Sequence, residues 1–261
     1  MSNLTIGESK QVILFTGAAQ RVGLYCAQAL QQLGYQLIVT YRRRHAAVDE
    51  LEQQGIHCVA ADLTQLADIA ALQQYIQAKT STLRAVIHNA SAWQTDASHV
   101  FPSHHSEMLS QLEVDAAIFD AMQQIHARAP YLLNRALIPL LQANVAAGGQ
   151  ADIIHLSDFV ATVGSEKHQA YAASKAALDN LTLSLARQLA PNIKVNSIAP
   201  ALLMFNAGDE LSYQQKALAK SLLGIAPGPA EVLETIQYLL QSRYVTGRIL
   251  ALDGGRHLKL P

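Results

Sequence analysis

The amino-acid pattern points to a single α/β domain, in which seven parallel strands form one doubly wound sheet with helices on both faces. Three observations carry that expectation. Short apolar runs rich in β-branched residues alternate with longer helical patterns from residue 12 to residue 253. The turns between them are short, and no linker, low-complexity tract or internal repeat breaks the rhythm. A glycine-bearing turn also follows the first apolar run, and strand–helix–strand units joined this way make right-handed crossovers between parallel strands.

The elements follow in order. Val12–Thr16 is the first strand, and after the turn Gly17–Gly23 a helical pattern continues through Leu33 to the stop signal Gly34. Gln36–Tyr41 is the second strand, followed by a helix from about Ala46 to Gln54 that Gly55 ends. His57–Ala61, a helix over Leu66–Ala78 and the strand Ala85–Asn89 complete the first half. A long helix is expected from Asp115 to about Leu141, adjusted near Pro130 and Pro139, because proline removes a helix hydrogen bond. Asp152–Leu156 is a strand, Ala170–Leu189 a helix and Ile193–Ala199 a strand. Residues 201–227 lack clear apolar periodicity and read as short helices and loop, suited to cover a pocket. Glu231–Leu240 is helical and Arg248–Asp253 the last strand. Residues 1–10 are polar and are expected to be a flexible terminus of the one domain, 1–261.

Composition excludes several classes. Half of the 261 residues are hydrophobic and 15% are charged, which fits neither a disordered chain nor a coiled coil. A formal net charge of −1 gives no reason to expect nucleic acid or an anionic membrane as partner, so any anion binding must be local. Cys26 and Cys58 fall in a helix and a strand without metal-ligand spacing; they read as buried small hydrophobes in a reducing compartment, and no metal site is expected. No apolar run approaches the roughly 18 residues of a membrane span, and the polar start lacks a signal-peptide core, so the expected setting is the cytoplasm.

The chemistry gathers in residues 158–180. Tyr171 and Lys175 stand four apart in an Ala- and Leu-rich helical run, so the phenol and the ammonium share one helix face. A cation beside a phenol suits a proton donor whose pKa is lowered. Asp158 lies thirteen residues before Tyr171, just past an apolar run.

A second cluster sits at the ends of the early strands. The turn Thr16-Gly-Ala-Ala-Gln-Arg-Val-Gly23 opens the first βαβ unit, where a pyrophosphate rests on a helix N-terminus. Its glycines are Gly17 and Gly23, and Arg21 stands where glycine is common; Arg21 and Val22 are candidate cofactor contacts. The second strand ends in Thr40-Tyr-Arg-Arg-Arg44, with no acid there to take a ribose hydroxyl. Arg42 and Arg43, nearer the strand end than Arg44, favour a 2′-phosphate, hence NADP(H) over NAD(H). Asp62, followed by Leu63, can accept from an adenine amine or cap the next helix. The fourth strand ends His88-Asn-Ala-Ser-Ala-Trp93; its small residues let the backbone approach a ribose, and His88 reads as structural.

Together, Thr16-Gly-x5-Gly23, Asn89-Ala90, Tyr171-x-x-x-Lys175, Val195-Asn-Ser-Ile-Ala-Pro200, Val245-Thr-Gly-Arg248 and Asp253-Gly-Gly255 resemble the short-chain dehydrogenase/reductase family over nearly the whole chain. The resemblance implies a Rossmann-like domain that binds NADPH and commonly forms homotetramers through its long helices. It assigns Tyr171, Lys175 and residue 158 to catalysis, and adds Asn89, Ala90, Ser91 and Pro200 to the cofactor site. Most members carry serine at the position of Asp158; Ser157 beside it would project to the other side if strand alternation holds.

Asp158 with Tyr171 and Lys175, the Arg21-bearing turn and Trp93 after Asn-Ala-Ser are similar to the pteridine reductase subgroup. That likeness implies hydride transfer from NADPH to C6 of a dihydropterin and a proton to N5. It also implies pterin contacts from Ser91, Trp93, Asp158, Tyr171, Leu202 and Phe205. Aspartate accepts from the amino and ring N–H groups of a pterin, whereas serine suits a carbonyl oxygen. Trp93 can stack on the pterin or simply pack in the core. His126, at a position where the family usually has asparagine, can serve a proton path from Lys175 or be structural. The sequence leaves open whether dihydromonapterin, dihydrobiopterin or dihydrofolate is preferred. The competing readings are an NADPH-dependent carbonyl or 3-oxoacyl reductase and a non-catalytic NADP sensor.

Overall fold

A computed structural model describes residues 11–96 and 105–259, so the flexible terminus expected over residues 1–10 lies outside the described residues. The chain runs β1 (Val12–Thr16), α1 (Arg21–Gln32), β2 (Gln36–Tyr41), α2 (Ala46–Gln53), β3 (His57–Ala60), α3 (Leu66–Lys79) and β4 (Ala85–His88). It continues with α4 (His105–Gln123), a π turn (Gln124–Arg128), α5 (Ala129–Ala146), β5 (Ala151–Leu156), α6 (Val160–Val163) and α7 (Gln169–Leu189). β6 (Ile193–Pro200), α8 (Leu211–Leu218), α9 (Ala230–Gln241), β7 (Ile249–Leu252) and a 3₁₀ turn (Arg256–Leu258) complete it. All seven strands lie in one parallel sheet of order β3-β2-β1-β4-β5-β6-β7. Each agrees with its expected span to within one residue at either end.

The order reverses between β1 and β4, and the crevice beyond the strand C-termini there is where open α/β sheets bind ligands. Ile13 and Phe15 of β1 face one core layer, with Cys26 and Leu30 of α1 and Ile236 of α9; Val12 and Leu14 face the other, with Leu133 and Leu137 of α5 and Leu185 of α7. Strand alternation thus splits one apolar run between two helical layers.

The long helix departs from expectation. It begins before Asp115, at His105, and is interrupted by the π turn around His126 before α5 resumes. Pro130 sits in the first turn of α5, where a missing N–H costs little, and Pro139 lies inside the helix. The four-residue α6 was not legible as a helix; the Asp158 side chain starts its turn by accepting the Val160 N–H at 2.9 Å.

Two buried polar assemblies fasten the layers. At the N-terminal ends of the strands, Asp152 accepts from both Arg84 and Lys194. Those cations also donate to the Leu240 and Leu239 carbonyls, at the C-terminal end of α9, where positive charge is favoured. In mid-sheet, His88 Nε2 lies 2.7 Å from Asn134 Oδ1, and Asn134 Nδ2 lies 3.2 Å from His155 Nε2. His155 Nδ1 is 2.8 Å from Thr182 Oγ1, which donates to the Leu178 carbonyl at 3.1 Å. The chain of bonds is satisfied with both imidazoles neutral, and burial lowers the pKa of each. His88 is structural, as expected.

Candidate active site

The catalytic candidates converge from β5 and α7. β5 delivers Ser157 and Asp158 at its C-terminal end, and α7 carries Tyr171 and Lys175 one turn apart. The Tyr171 hydroxyl donates to Asp158 Oδ2 at 2.9 Å. Lys175 Nζ donates to the Leu156 carbonyl at 2.8 Å and lies 5.7 Å from the Tyr171 ring centroid. Ser157 points the other way, into the protein, where its hydroxyl donates to the Lys175 carbonyl at 3.4 Å. Asp158, not Ser157, is therefore the group at the phenol.

The electrostatics correct one expectation. Burial and then the Asp158 carboxylate push the Tyr171 phenol well above its ordinary range, opposed by the nearby Ser91 hydroxyl. The ammonium does not lower it here, because Lys175 Nζ is committed to the Leu156 carbonyl rather than to the phenol oxygen. Burial lowers Lys175 to about 8, opposed by Asp158 and Asp179. The phenol is thus held with its proton on, beside an ammonium that titrates near neutrality.

The start of α7 is organised by a residue that pattern reading missed. Asp96, far away in sequence, accepts the Gln169 N–H at 2.7 Å and the Ala170 N–H at 3.4 Å. A carboxylate on the first turn satisfies open donors and complements the helix dipole. Trp93 lies next to it, exposed, with its ring 4.5 Å from that of His168. It is not a core tryptophan.

At the β1–β4 switch point, Thr16 Oγ1 accepts the N–H groups of Asn89 and Ala90 at 3.0 and 3.1 Å. Asn89 Nδ2 donates to the Gly17 carbonyl at 2.9 Å, tying the two strand ends together. Thr40 Oγ1 accepts the Gly17 N–H at 3.0 Å. A Cβ on Gly17 would stand 2.6 Å from Ala90 Cα, and φ there is +61°, so only glycine fits. Arg21 adopts φ 49°, the left-handed region natural to the glycine it replaces, and its guanidinium donates to Asn206 Oδ1 beyond β6. Val22 is half-buried on the core.

The three arginines after β2 differ sharply. Arg44 is engaged by Asp49 and Glu52, whereas Arg42 and Arg43 are exposed and have no ion pair among the described residues. Arg42 acts on Asp62, whose carboxylate is held low first by the Thr64 hydroxyl. Asp62 Oδ1 also accepts the Thr64 N–H at 3.0 Å, a local turn that settles before α3 rather than a helix cap. Leu63 is buried in the core, so only its main chain is left to meet a cofactor.

Residues 201–227 are loop around the short helix α8, as expected. The Ala201 N–H donates to the Leu252 carbonyl at 3.0 Å, holding the chain along β7. Leu202 consequently lines a cavity of about 230 Å³ with Leu223, Ile225, Leu252 and Arg256, to which Asp158, Tyr171 and Lys175 do not contribute. Phe205 packs edge-on to Tyr213 of α8, centroids 6.4 Å apart. Pro200 accepts the Phe159 N–H at 2.9 Å, which leaves it at the wall beside Asp158.

With this geometry in hand, similarity to known proteins decides the family. A family model described as enoyl-(acyl carrier protein) reductase matches residues 17–257. The chain belongs to the short-chain dehydrogenase/reductase family. Within it, the chain is 47% identical over 247 residues to a dihydromonapterin reductase of Klebsiella pneumoniae, covering 95% of this chain and 97% of the relative. A dihydromonapterin reductase of an Enterobacter strain is 48% identical over 246 residues, covering 94% and 96%. Among solved structures, the alternative dihydrofolate reductase FolM of Brucella canis, complexed with NADP, superposes with a TM-score of 0.79 at 25% identity, covering 96% of this chain and 95% of that one. No helix of the described residues is long and apolar enough to cross a membrane.

Proposed function

We propose that this protein is an NADPH-dependent dihydropterin reductase that converts 7,8-dihydromonapterin to tetrahydromonapterin, with dihydrofolate as a side substrate. The observation that carries the reading is Asp158 Oδ2, 2.9 Å from the Tyr171 hydroxyl, a carboxylate where the family resemblance implies a serine. The names borne by relatives at 47 and 48% identity support it.

The residues fit NADPH. The Gly17–Gly23 turn against Ala90 leaves backbone close enough to receive a pyrophosphate, and Arg42 and Arg43 supply cations for a 2′-phosphate. Asn89, Ala90, Ser91 and Pro200 would hold the nicotinamide half, and Lys175 would bind its ribose. NADPH, when bound, supplies the hydride.

The protein's own groups do the rest. Tyr171, its phenol pKa raised by burial, keeps a proton at neutral pH and gives it to N5 of the substrate. Asp158 accepts the amino and ring N–H groups of the pterin, a donor-rich edge that a serine would match less well. Trp93, exposed beside His168, offers a flat face; stacking adds about 0.5–1.5 kcal/mol beyond area burial, enough to orient a ring. The Arg21–Asn206 bond draws the segment after β6 toward the glycine turn. The apolar side chains exposed on α4, including Leu109, Leu112 and Phe119, support a homotetramer, and two free cysteines support a cytoplasmic setting.

The test is a comparison of NADPH oxidation with dihydromonapterin, dihydrobiopterin, dihydrofolate and a 3-oxoacyl thioester. Turnover of the pterins and not of the thioester is expected. Preference for the thioester would return the protein to carbonyl reduction, and no turnover at all would favour an NADP sensor.

A further inference from the structure

His126 is buried in the π turn, and its partners determine its tautomer. The Ala92 N–H donates to Nε2 at 3.3 Å, so Nε2 carries no proton. The proton is on Nδ1, which donates to Ser174 Oγ at 2.8 Å; Ser174 donates onward to the Tyr171 carbonyl at 2.7 Å. The Ser91 hydroxyl, 2.8 Å from Nε2, must then be a donor to it. The imidazole also packs edge-on against the Tyr171 ring, centroids 5.2 Å apart at 89°. Burial, with the Lys175 ammonium adding to it, lowers the imidazole to about 2. A ring so reluctant to take a proton is a poor carrier of one from Lys175, but a good fixed acceptor.

What needs such an acceptor is the oxygen of Tyr171. Once the phenol has given its proton away, a phenolate faces the Asp158 carboxylate at the site where a serine would have offered a hydroxyl donor. Two like charges at that distance oppose the transfer. Ser91 is the neighbouring hydroxyl able to donate instead: it acts on the Tyr171 phenol and lies 2.8 Å from His126 Nε2.

We propose that His126 is a positioning residue that holds the Ser91 hydroxyl beside Tyr171, and that the Ser91 O–H swings from His126 Nε2 to the Tyr171 oxygen as the phenol is deprotonated. No bond breaks in that swing; one hydroxyl changes its acceptor, and His126 Nε2 keeps the Ala92 N–H. The pair thereby supplies the donor that Asp158 cannot. The inference rests on the reading of Tyr171 as proton donor in dihydropterin reduction.

Steady-state kinetics of dihydropterin reduction test it, with the intact enzyme and Ser91→Ala, His126→Ala, His126→Gln and the Ser91→Ala/His126→Ala double variant. Each alanine variant is expected to lower kcat by about tenfold to hundredfold, the worth of one hydrogen bond to a charged group. In His126→Ala the KM for NADPH should stay within about threefold, because that change removes no cofactor contact. The double variant should be no slower than Ser91→Ala alone. His126→Gln, whose amide can accept from Ser91 and donate to Ser174, should recover most of the loss. Losses that multiply in the double variant, or a glutamine variant as slow as alanine, would overturn the proposal. Should the intact enzyme fail to turn over any dihydropterin, the functional reading falls. ¹⁵N-histidine spectra of the NADP⁺-bound enzyme then judge the pair alone: the His126 Nε2 resonance must move in Ser91→Ala, and an unmoved resonance sinks the proposal.

Discussion

The Tyr171 hydroxyl donates a 2.9 Å hydrogen bond to Asp158 Oδ2, joining the catalytic helix α7 to the end of β5 through a carboxylate. After burial, the Asp158 carboxylate adds to the phenol's proton affinity, and it presents an acceptor to whatever lies beside it. Tyr171→Phe should lower kcat by about 10²–10⁴-fold, the usual worth of a positioned general acid, while NADPH binding changes little. Asp158→Ser should lower kcat/KM for a dihydropterin by about tenfold or more through the lost acceptor. Stopped-flow NADPH oxidation and fluorescence titration of NADPH read the two effects separately. Unimpaired turnover in Tyr171→Phe would remove the phenol from the mechanism.

Cofactor preference should depend on two of the three arginines after β2. Arg42→Gln and Arg43→Gln should each raise the KM for NADPH by about tenfold or more, as expected for a charge-assisted bond to phosphate, with NADH kinetics unchanged. Arg44→Gln should leave the preference in place, because Asp49 and Glu52 already hold that guanidinium. Equal effects at all three positions would contradict the assignment.

The pH dependence follows from Lys175. Burial brings its pKa down to about 8, so the side chain is an ammonium below that pH and a neutral amine above it. If the ammonium holds the nicotinamide ribose, kcat/KM for NADPH must decline as pH rises through about 8. In Lys175→Arg, whose guanidinium stays charged, that alkaline limb should vanish even where the rate is low. A limb at the same pH in the arginine variant would assign it to another group.

The buried cluster of Asp152, Arg84 and Lys194 predicts a change of stability without a change of mechanism. Asp152→Ala leaves two cations uncompensated at the N-terminal ends of the strands, far from Tyr171 in the fold. Removing one partner of a buried ionic group typically costs about 3–5 kcal/mol. Urea denaturation should report a loss of that order, with kcat unaltered at temperatures where the variant is folded. A loss of kcat at full folding would mean the cluster reaches the site.

Much of this was readable from residue order, and the exceptions share a cause. Strand alternation, the glycine turn and the Tyr171–Lys175 spacing are local signals, and the sheet followed them closely. That Ser157 turns inward while Asp158 meets the phenol also follows from the two-residue period of β5. Asp96 capping α7 could not be foreseen, because its partners Gln169 and Ala170 are distant in sequence and meet only after folding. The π turn at His126 and the placement of Leu202 on a separate cavity are likewise tertiary outcomes. The raised phenol of Tyr171 is another: spacing indicated a nearby cation, but burial and the Asp158 carboxylate govern it. The inward direction of the Leu63 side chain, which leaves only its main chain for a cofactor, was not legible from its place after Asp62.

Substrate choice by Asp158 is best judged by kcat/KM for NADPH-dependent reduction of dihydromonapterin against a 3-oxoacyl thioester, in the unaltered protein and in Asp158→Ser. The account predicts that the unaltered protein favours the dihydropterin by orders of magnitude and that the serine variant loses much of that margin. A protein that prefers the thioester, or a serine variant with an unchanged ratio, would contradict it.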